Sequence, residues 1–114
     1  MTSSLLLLLL SIPAAAPLQC YVGQVPWGYD LNANPPPKPD PLNPVPVSPP
    51  VLRNCPETHG CCSYSGATKK GQFHQGRKWQ CGVNCPVFSK KNQVIEIQGV
   101  LYCTGPDVQA CKPR

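Results

Sequence analysis

The sequence predicts a small disulfide-rich all-β domain, and three observations support this fold class. The 114 residues include eight cysteines, an even number that indicates a disulfide framework in an exported protein. Glycines and prolines separate short apolar runs from Cys55 onward, as in small β-sheets. No helical period of useful length is present. The predicted disulfide cysteines are Cys20, Cys55, Cys61, Cys62, Cys81, Cys85, Cys103 and Cys111.

The N-terminal residues 1–16 are expected to be a secretory signal peptide. An apolar core at residues 5–12 precedes a run of alanines, and it is too short to span a bilayer. Cleavage after Ala16 would leave residues 17–114 as one cysteine-rich domain. The cleavage site stays open, because the leader lacks an early Lys or Arg and Pro17 would follow the cut. The polar segment 103–114 argues against a membrane anchor, so we expect a secreted, extracellular protein.

Within the domain, alternating apolar residues predict a strand at residues 18–25. Residues 26–53 are expected to form a proline-rich loop or insertion. Nine of the 16 prolines lie within residues 35–50, which should be extended, exposed and outside the core because proline lacks a backbone N–H. The strongest strand pattern is at residues 94–103, which are rich in β-branched side chains.

A zinc site is the alternative use of the cysteines. The chain contains no Cys-x-x-Cys pair, and thiolates would have to escape oxidation during export. We therefore expect no metal and no other cofactor. The residues considered for such a site are Cys61, Cys62, Cys81 and Cys85 with His59 or His74.

The order of the cysteines resembles that of the three-finger superfamily, the fold of snake neurotoxins and urokinase-receptor-type domains. Residues 18–21, Leu-Gln-Cys-Tyr, resemble its opening strand, and Cys55-x5-Cys61-Cys62 resembles its cysteines before the second finger. Residues 81–86 are similar to the crossing into the third finger. The resemblance implies a three-finger-like antiparallel sheet whose first loop carries the proline-rich insertion. An unclassified disulfide-rich β domain is the alternative.

The resemblance also implies a disulfide pattern. Two neighbouring side chains on a strand point to opposite faces, so Cys61 and Cys62 should reach different partners. Which of the two takes which role stays open. The implied bridges are Cys20–Cys62, Cys55–Cys81, Cys85–Cys103 and, in place of the family's last short loop, Cys61–Cys111.

The distribution of charge suggests a binding surface. The formal net charge is +5, and residues 58–95 contain six bases and no acid. The three-finger resemblance would place residues 69–78 at the tip of the second finger and residues 90–92 at the turn of the third, where their potentials would add. Ordinary solvated loops are the alternative. The candidate binding residues are Lys69, Lys70, Phe73, Arg77 and Lys78, assisted by Lys90 and Lys91, with Phe73 as the apolar anchor.

These features favour a binding protein over an enzyme. The serines, histidines and scattered acids match no catalytic motif, so we expect no catalytic residues. The preferred function is a secreted protein that docks a cell-surface receptor or channel through basic loops, as three-finger proteins often do. The alternative is a cationic defence protein acting on anionic membranes or polyanions. An anionic polysaccharide is a possible partner, whereas the secretory route disfavours nucleic acid.

Overall fold

The computed structural model describes residues 16–38, 41–42, 45–66 and 76–114, and it is nearly all β. No helix in these ranges is long and apolar enough to cross a membrane. Residues 1–15, which carry most of the predicted signal peptide, lie outside them. The elements are β1 (Gln19–Pro26), β2 (Ser48–Asn54), β3 (Cys61–Ser65), β4 (Gly76–Gly82), β5 (Val94–Ile97), β6 (Val100–Cys103) and a 3₁₀ turn, η1 (Gln109–Cys111).

The six strands form one antiparallel sheet in the order β2-β1-β4-β3-β6-β5. Each strand pairs with its neighbour in sequence, which gives three successive hairpins, β1–β2, β3–β4 and β5–β6. Pairing of β1 with β4 and of β3 with β6 joins the hairpins side by side. The predicted fold class, a small disulfide-rich all-β domain, is confirmed.

The first hairpin is longer than the sequence suggested. Strand β1 matches the predicted strand at residues 18–25, but the segment expected to be a loop up to residue 53 ends in β2. Pro49 and Pro50 lie in this edge strand, where the pairing with β1 shifts register. An edge strand and a register irregularity are the two places where a sheet tolerates proline, since a missing N–H breaks no internal ladder there. The strand remains largely exposed, as expected for this segment.

The third hairpin corrects the prediction of one strand at residues 94–103. Strands β5 and β6 are separated by a two-residue turn at Gln98 and Gly99, whose φ angles are 51° and 83°. Positive φ at both central residues is the type I′ geometry that matches the twist of a tight hairpin. Ile97 pairs with Val100 across this turn. The apolar run resumes at Val100 directly after the turn, so the richness in β-branched residues alone did not reveal it.

The structure contains four disulfides, and two of the four implied pairs are wrong. Cys20–Cys62 and Cys55–Cys81 are confirmed. The remaining cysteines form Cys61–Cys85 and Cys103–Cys111 instead of Cys85–Cys103 and Cys61–Cys111. As expected, the adjacent Cys61 and Cys62 reach different partners.

The geometry at the ends of β4 and β6 explains the revised pairs. Cys61 pairs in register with Gly82, and the chain leaving β4 brings Cys85 back to it at a Cα–Cα distance of 6.0 Å. Beyond β6, the turn η1 returns Cys111 to within 6.3 Å of Cys103. Both bridges are therefore local, with sequence separations of 24 and 8 residues.

The disulfides also form much of the core. The buried cluster consists of Cys20, Cys55, Cys62, Cys103, Val108 and Cys111. The sulfur atoms of Cys20, Cys55 and Cys81 lie within 4.8 Å of one another. All four cysteines considered for a zinc site are in disulfides, so they offer no thiolate to a metal ion.

Gly23 allows β1 and β2 to approach closely at the register shift. A Cβ atom at this position would overlap the carbonyl oxygen of Ser48 and the backbone of Pro50. We expect Gly23→Ala to lower the free energy of unfolding by about 3 kcal/mol, because backbone atoms cannot yield as a side chain can. Gly60→Ala is the matched control, since no atom lies within 4 Å of its Cβ position. Equal urea midpoints for the two variants would contradict the close approach.

Candidate binding surface

Lys78 lies near the start of β4, the second strand of the second hairpin. Its side chain is exposed, and its backbone pairs with Gln24 on one side and Ser65 on the other. Ser65 in turn pairs with Val100, which follows the turn of the third hairpin. The predicted site residues Lys69, Lys70 and Phe73 lie outside the described residues. Lys78 is thus an exposed candidate base at the hairpin-turn end of the sheet.

Lys90 and Lys91 lie at the opposite end of the sheet. They are exposed in a bend that precedes β5, and the amide oxygen of Gln93 accepts hydrogen bonds from the backbone N–H groups of Ser89 (2.8 Å) and Lys90 (3.3 Å). The backbone N–H of Thr104, just after β6, donates to the Gln93 carbonyl oxygen (3.1 Å). The expectation that these lysines occupy the turn of the third hairpin is therefore wrong.

The described candidate bases consequently form two exposed patches rather than one. Four residues of β5 separate the Lys90–Lys91 bend from the hairpin turn, which corresponds to about 13 Å at ~3.3 Å per residue. This distance exceeds the screening length of ~8 Å at physiological ionic strength. Lys78 and the Lys90–Lys91 pair should therefore act on a ligand largely independently.

Arg77 is not a freely solvated base. Its guanidinium donates one hydrogen bond to the backbone carbonyl oxygen of Tyr29 (2.8 Å) and another to the main-chain oxygen of Arg114 (2.7 Å). The group also lies over the Trp79 ring, 5.2 Å from its centroid. Arg77 thereby joins β4 to the start of the β1–β2 loop and to the C-terminal segment.

Trp79 is the largest fully buried side chain, with 1% of its surface exposed. It pairs with Tyr64 across β3 and β4, and the two ring centroids lie 4.9 Å apart at an angle of 31°. The sequence analysis did not reveal the stack of Tyr64, Trp79 and Arg77. One available signal was that residues 77 and 79 of a strand lie on the same face.

The stack changes the acid–base behaviour of Tyr64. Burial raises the pKa of its phenol above the ordinary value of 10.0, and nearby Arg77 and Arg114 oppose that rise. A raised pKa in the folded state means that folding favours the protonated phenol. This contribution to stability is fully present below pH 10 and is lost as the pH rises through the higher folded value.

We therefore expect the free energy of unfolding of the parent protein to fall above about pH 10 more steeply than that of Tyr64→Phe. Phenylalanine keeps the ring against Trp79 but removes the ionisable hydroxyl. Urea unfolding of both proteins at a series of alkaline pH values measures the difference. If the free energy of unfolding changed with pH in the same way for both proteins, ionisation of Tyr64 would not be coupled to unfolding.

Two clefts flank the Arg77 side chain. The first, which we call the basic cleft, has a volume of about 320 Å³. It is lined by Tyr64, Arg77, Trp79, Leu101, Ala110, Lys112 and Arg114. The second, of about 330 Å³, is lined by residues 27–30 with Arg77 and Arg114, and it includes the acid Asp30. A third, open depression of about 450 Å³ lies beside Lys90 and Lys91 and includes Asp107.

Comparison of the chain with protein-family models, curated proteins and solved structures finds no match. The functional interpretation accordingly rests on the fold, on the placement of charge and on the clefts. Lys112 and Arg114 were absent from the predicted site because they lie near the end of the sequence, far from the acid-free stretch.

Proposed function

We propose that this chain is a secreted, disulfide-stabilised binding protein that docks a cell-surface receptor or channel through its basic loops. The observation that carries the proposal is a sheet held by four disulfides that displays Lys78, Lys90 and Lys91 within a stretch free of acids. A rigid scaffold reduces the ordering cost of association. Exposed charge of one sign steers a partner of opposite charge toward the surface.

We assign the scaffold to the three-finger type on the same basis. Three successive hairpins in one antiparallel sheet are compatible with that architecture, as are the pairs Cys20–Cys62 and Cys55–Cys81. The Cys103–Cys111 bridge closes a short C-terminal loop, a feature that the expected Cys61–Cys111 pair would have removed. The extra features of this chain are the Cys61–Cys85 bridge and the proline-rich first loop.

Secretion is supported by two independent features. The apolar leader at residues 5–12 is typical of an export signal, and four disulfides are typical of proteins that mature in an oxidising compartment. N-terminal sequencing of protein recovered from culture medium tests this part of the proposal. We expect a terminus near residue 17, and an intact Met1 would contradict processing.

A display screen tests the receptor proposal. The oxidised protein is applied to cells that each display one membrane-protein ectodomain, and association rates with the selected partner are then measured. We expect Lys78→Glu to slow association about tenfold at low salt, with less effect at physiological salt. The double substitution of Lys90 and Lys91 by Glu should add its own effect independently, because the two patches are far apart.

Arg53→Glu is the matched control for these variants. Arg53 is an exposed base on the edge strand β2 and lies outside the proposed surface, so its reversal should change association less than about twofold.

Phe73→Ala should instead speed dissociation, since it removes apolar contact area. Equal association rates for the parent and all charge variants, or binding to anionic vesicles but to no ectodomain, would contradict the proposal.

A further inference from the structure

We propose that the basic cleft binds a carboxylate joined to a small apolar body. The site lies on the Arg77–Trp79 face of the sheet and does not include the exposed lysines assigned to receptor docking. The result of its test therefore does not depend on whether the receptor proposal is correct. The ligand chemistry follows from the charge, wall and donors of the cleft.

The charge of the cleft is the first argument. Arg77, Lys112 and Arg114 contribute three basic side chains to its lining, and no acidic side chain lines it. The other two clefts each include an acid, Asp30 in one and Asp107 in the other. Of these three concavities, the basic cleft therefore offers an anion the most favourable potential. Low-dielectric walls strengthen that attraction relative to an open surface.

The shape and composition of the wall are the second argument. Tyr64, Leu101 and Ala110 provide aromatic and aliphatic surface in the same concavity as the three bases, with the buried Trp79 behind them. The volume of about 320 Å³ lies at the lower end of the range for small-molecule sites, ~300–1,000 Å³. An inorganic anion would leave this apolar wall in contact with water. A carboxylate carrying one aromatic ring or a short alkyl chain uses both parts of the cleft.

The donors at the cleft are the third argument. Arg77 is held in place by the main-chain oxygens of Tyr29 and Arg114, which use two of the five guanidinium N–H groups. Its position is thus set before any ligand arrives, which lowers the entropy lost on binding. The buried indole N–H of Trp79 has no hydrogen-bond acceptor among the described residues. Trp79 lies in the lining of the cleft behind Arg77 and Tyr64, so its indole N–H signal reports on changes in the packing of the cleft wall.

The test is an NMR titration of the oxidised, ¹⁵N-labelled protein that follows the indole N–H signal of Trp79. Trp27→Phe removes the other indole signal and so assigns it. Three probes distinguish the contribution of the carboxylate to affinity from that of the apolar group. They are 4-phenylbutyrate, its uncharged analogue 4-phenylbutanol, and acetate. We expect a saturable shift with 4-phenylbutyrate and affinities at least about tenfold weaker for the other two, because each lacks one half of the recognition.

Substitutions test which residues contribute to the affinity for 4-phenylbutyrate. Lys112→Gln combined with Arg114→Gln should weaken 4-phenylbutyrate binding about tenfold, since two charges are removed while the main-chain oxygen that holds Arg77 remains. Arg53→Gln, on the exposed edge strand, should change the affinity less than about twofold. Unchanged chemical shifts elsewhere in the spectrum verify that each variant is folded.

Two peptides distinguish a free acid from a chain-terminal carboxylate: acetyl-Gly-Gly-Phe with a free carboxyl end, and the same peptide as its C-terminal amide. Tighter binding of the peptide acid than of its amide supports the site with a chain-terminal carboxylate as its ligand. Tighter binding of phenylbutyrate than of phenylbutanol supports the site with a free small acid as its ligand. The proposal is overturned if neither acid shifts the Trp79 signal, if charged and uncharged partners bind equally, or if the double variant binds like the parent.

Discussion

Replacing both Cys20 and Cys62 by serine is expected to lower the free energy of unfolding by about 4 kcal/mol. The bridge joins β1 to β3 across a sequence separation of 42 residues, and both cysteines are buried. Its removal lets a long loop expand in the unfolded state and leaves two hydroxyl groups in an apolar cluster. Denaturant unfolding of the double variant, followed by circular dichroism, measures the loss.

The pair Cys103 and Cys111 provides a matched comparison. This bridge also lies in the core, but it closes a separation of only 8 residues. Loop-closure entropy predicts a smaller loss of about 2.5 kcal/mol when both are replaced by serine. A larger loss for this pair than for Cys20 and Cys62 would show that native packing, rather than restriction of the unfolded chain, dominates the contribution of the bridges.

Trp79→Ala is expected to lower the free energy of unfolding by about 3–5 kcal/mol. The ring is 1% exposed and contacts both Tyr64 and the Arg77 guanidinium, so its removal leaves a cavity beneath two other side chains. Loss of the near-ultraviolet circular dichroism of the aromatic pair should accompany the drop in stability.

Trp27→Ala is the control for this truncation. Trp27 lies in the turn after β1, and its ring is only partly buried. We expect a loss of about 1 kcal/mol or less, because little packing is removed from a half-exposed side chain. Equal losses for the two tryptophans would contradict the assignment of Trp79 as the main aromatic element of the sheet.

The fold class was predictable because its signals are local. The even number of cysteines, the absence of a helical period and the β-branched run near Val94 each indicate a cross-linked sheet. Strand β1 was predicted nearly to its ends. The prolines obscured β2, since Pro49 and Pro50 disfavour a strand unless it lies at an edge, and edge position is a property of the assembled sheet.

The disulfide pattern was only half predictable, because it depends on register. Cys61 reaches Cys85 since it lies opposite Gly82, which ends β4 three residues before Cys85. Cysteine spacing gives no such register. Likewise, the turn at Gln98 and Gly99 interrupts an alternating pattern without a proline or a polar run to mark it.

The candidate surface was predictable in its chemistry more than in its arrangement. The acid-free stretch identified exposed lysines, and Lys78, Lys90 and Lys91 are indeed exposed. Their separation at two ends of the sheet depended on the position of the third turn. Arg77 belongs with the aromatic stack because its guanidinium lies over the Trp79 ring, and its contact to Arg114 depends on the folding of the C-terminal segment.

Peptide mapping of the unreduced protein tests the cross-linked sheet most directly, because both the separated lysine patches and the basic cleft depend on it. Fragmentation within the adjacent cysteine pair resolves Cys61 from Cys62. We expect linked peptides for Cys20–Cys62, Cys55–Cys81, Cys61–Cys85 and Cys103–Cys111. Peptides that join Cys85 to Cys103 or Cys61 to Cys111 would contradict this arrangement.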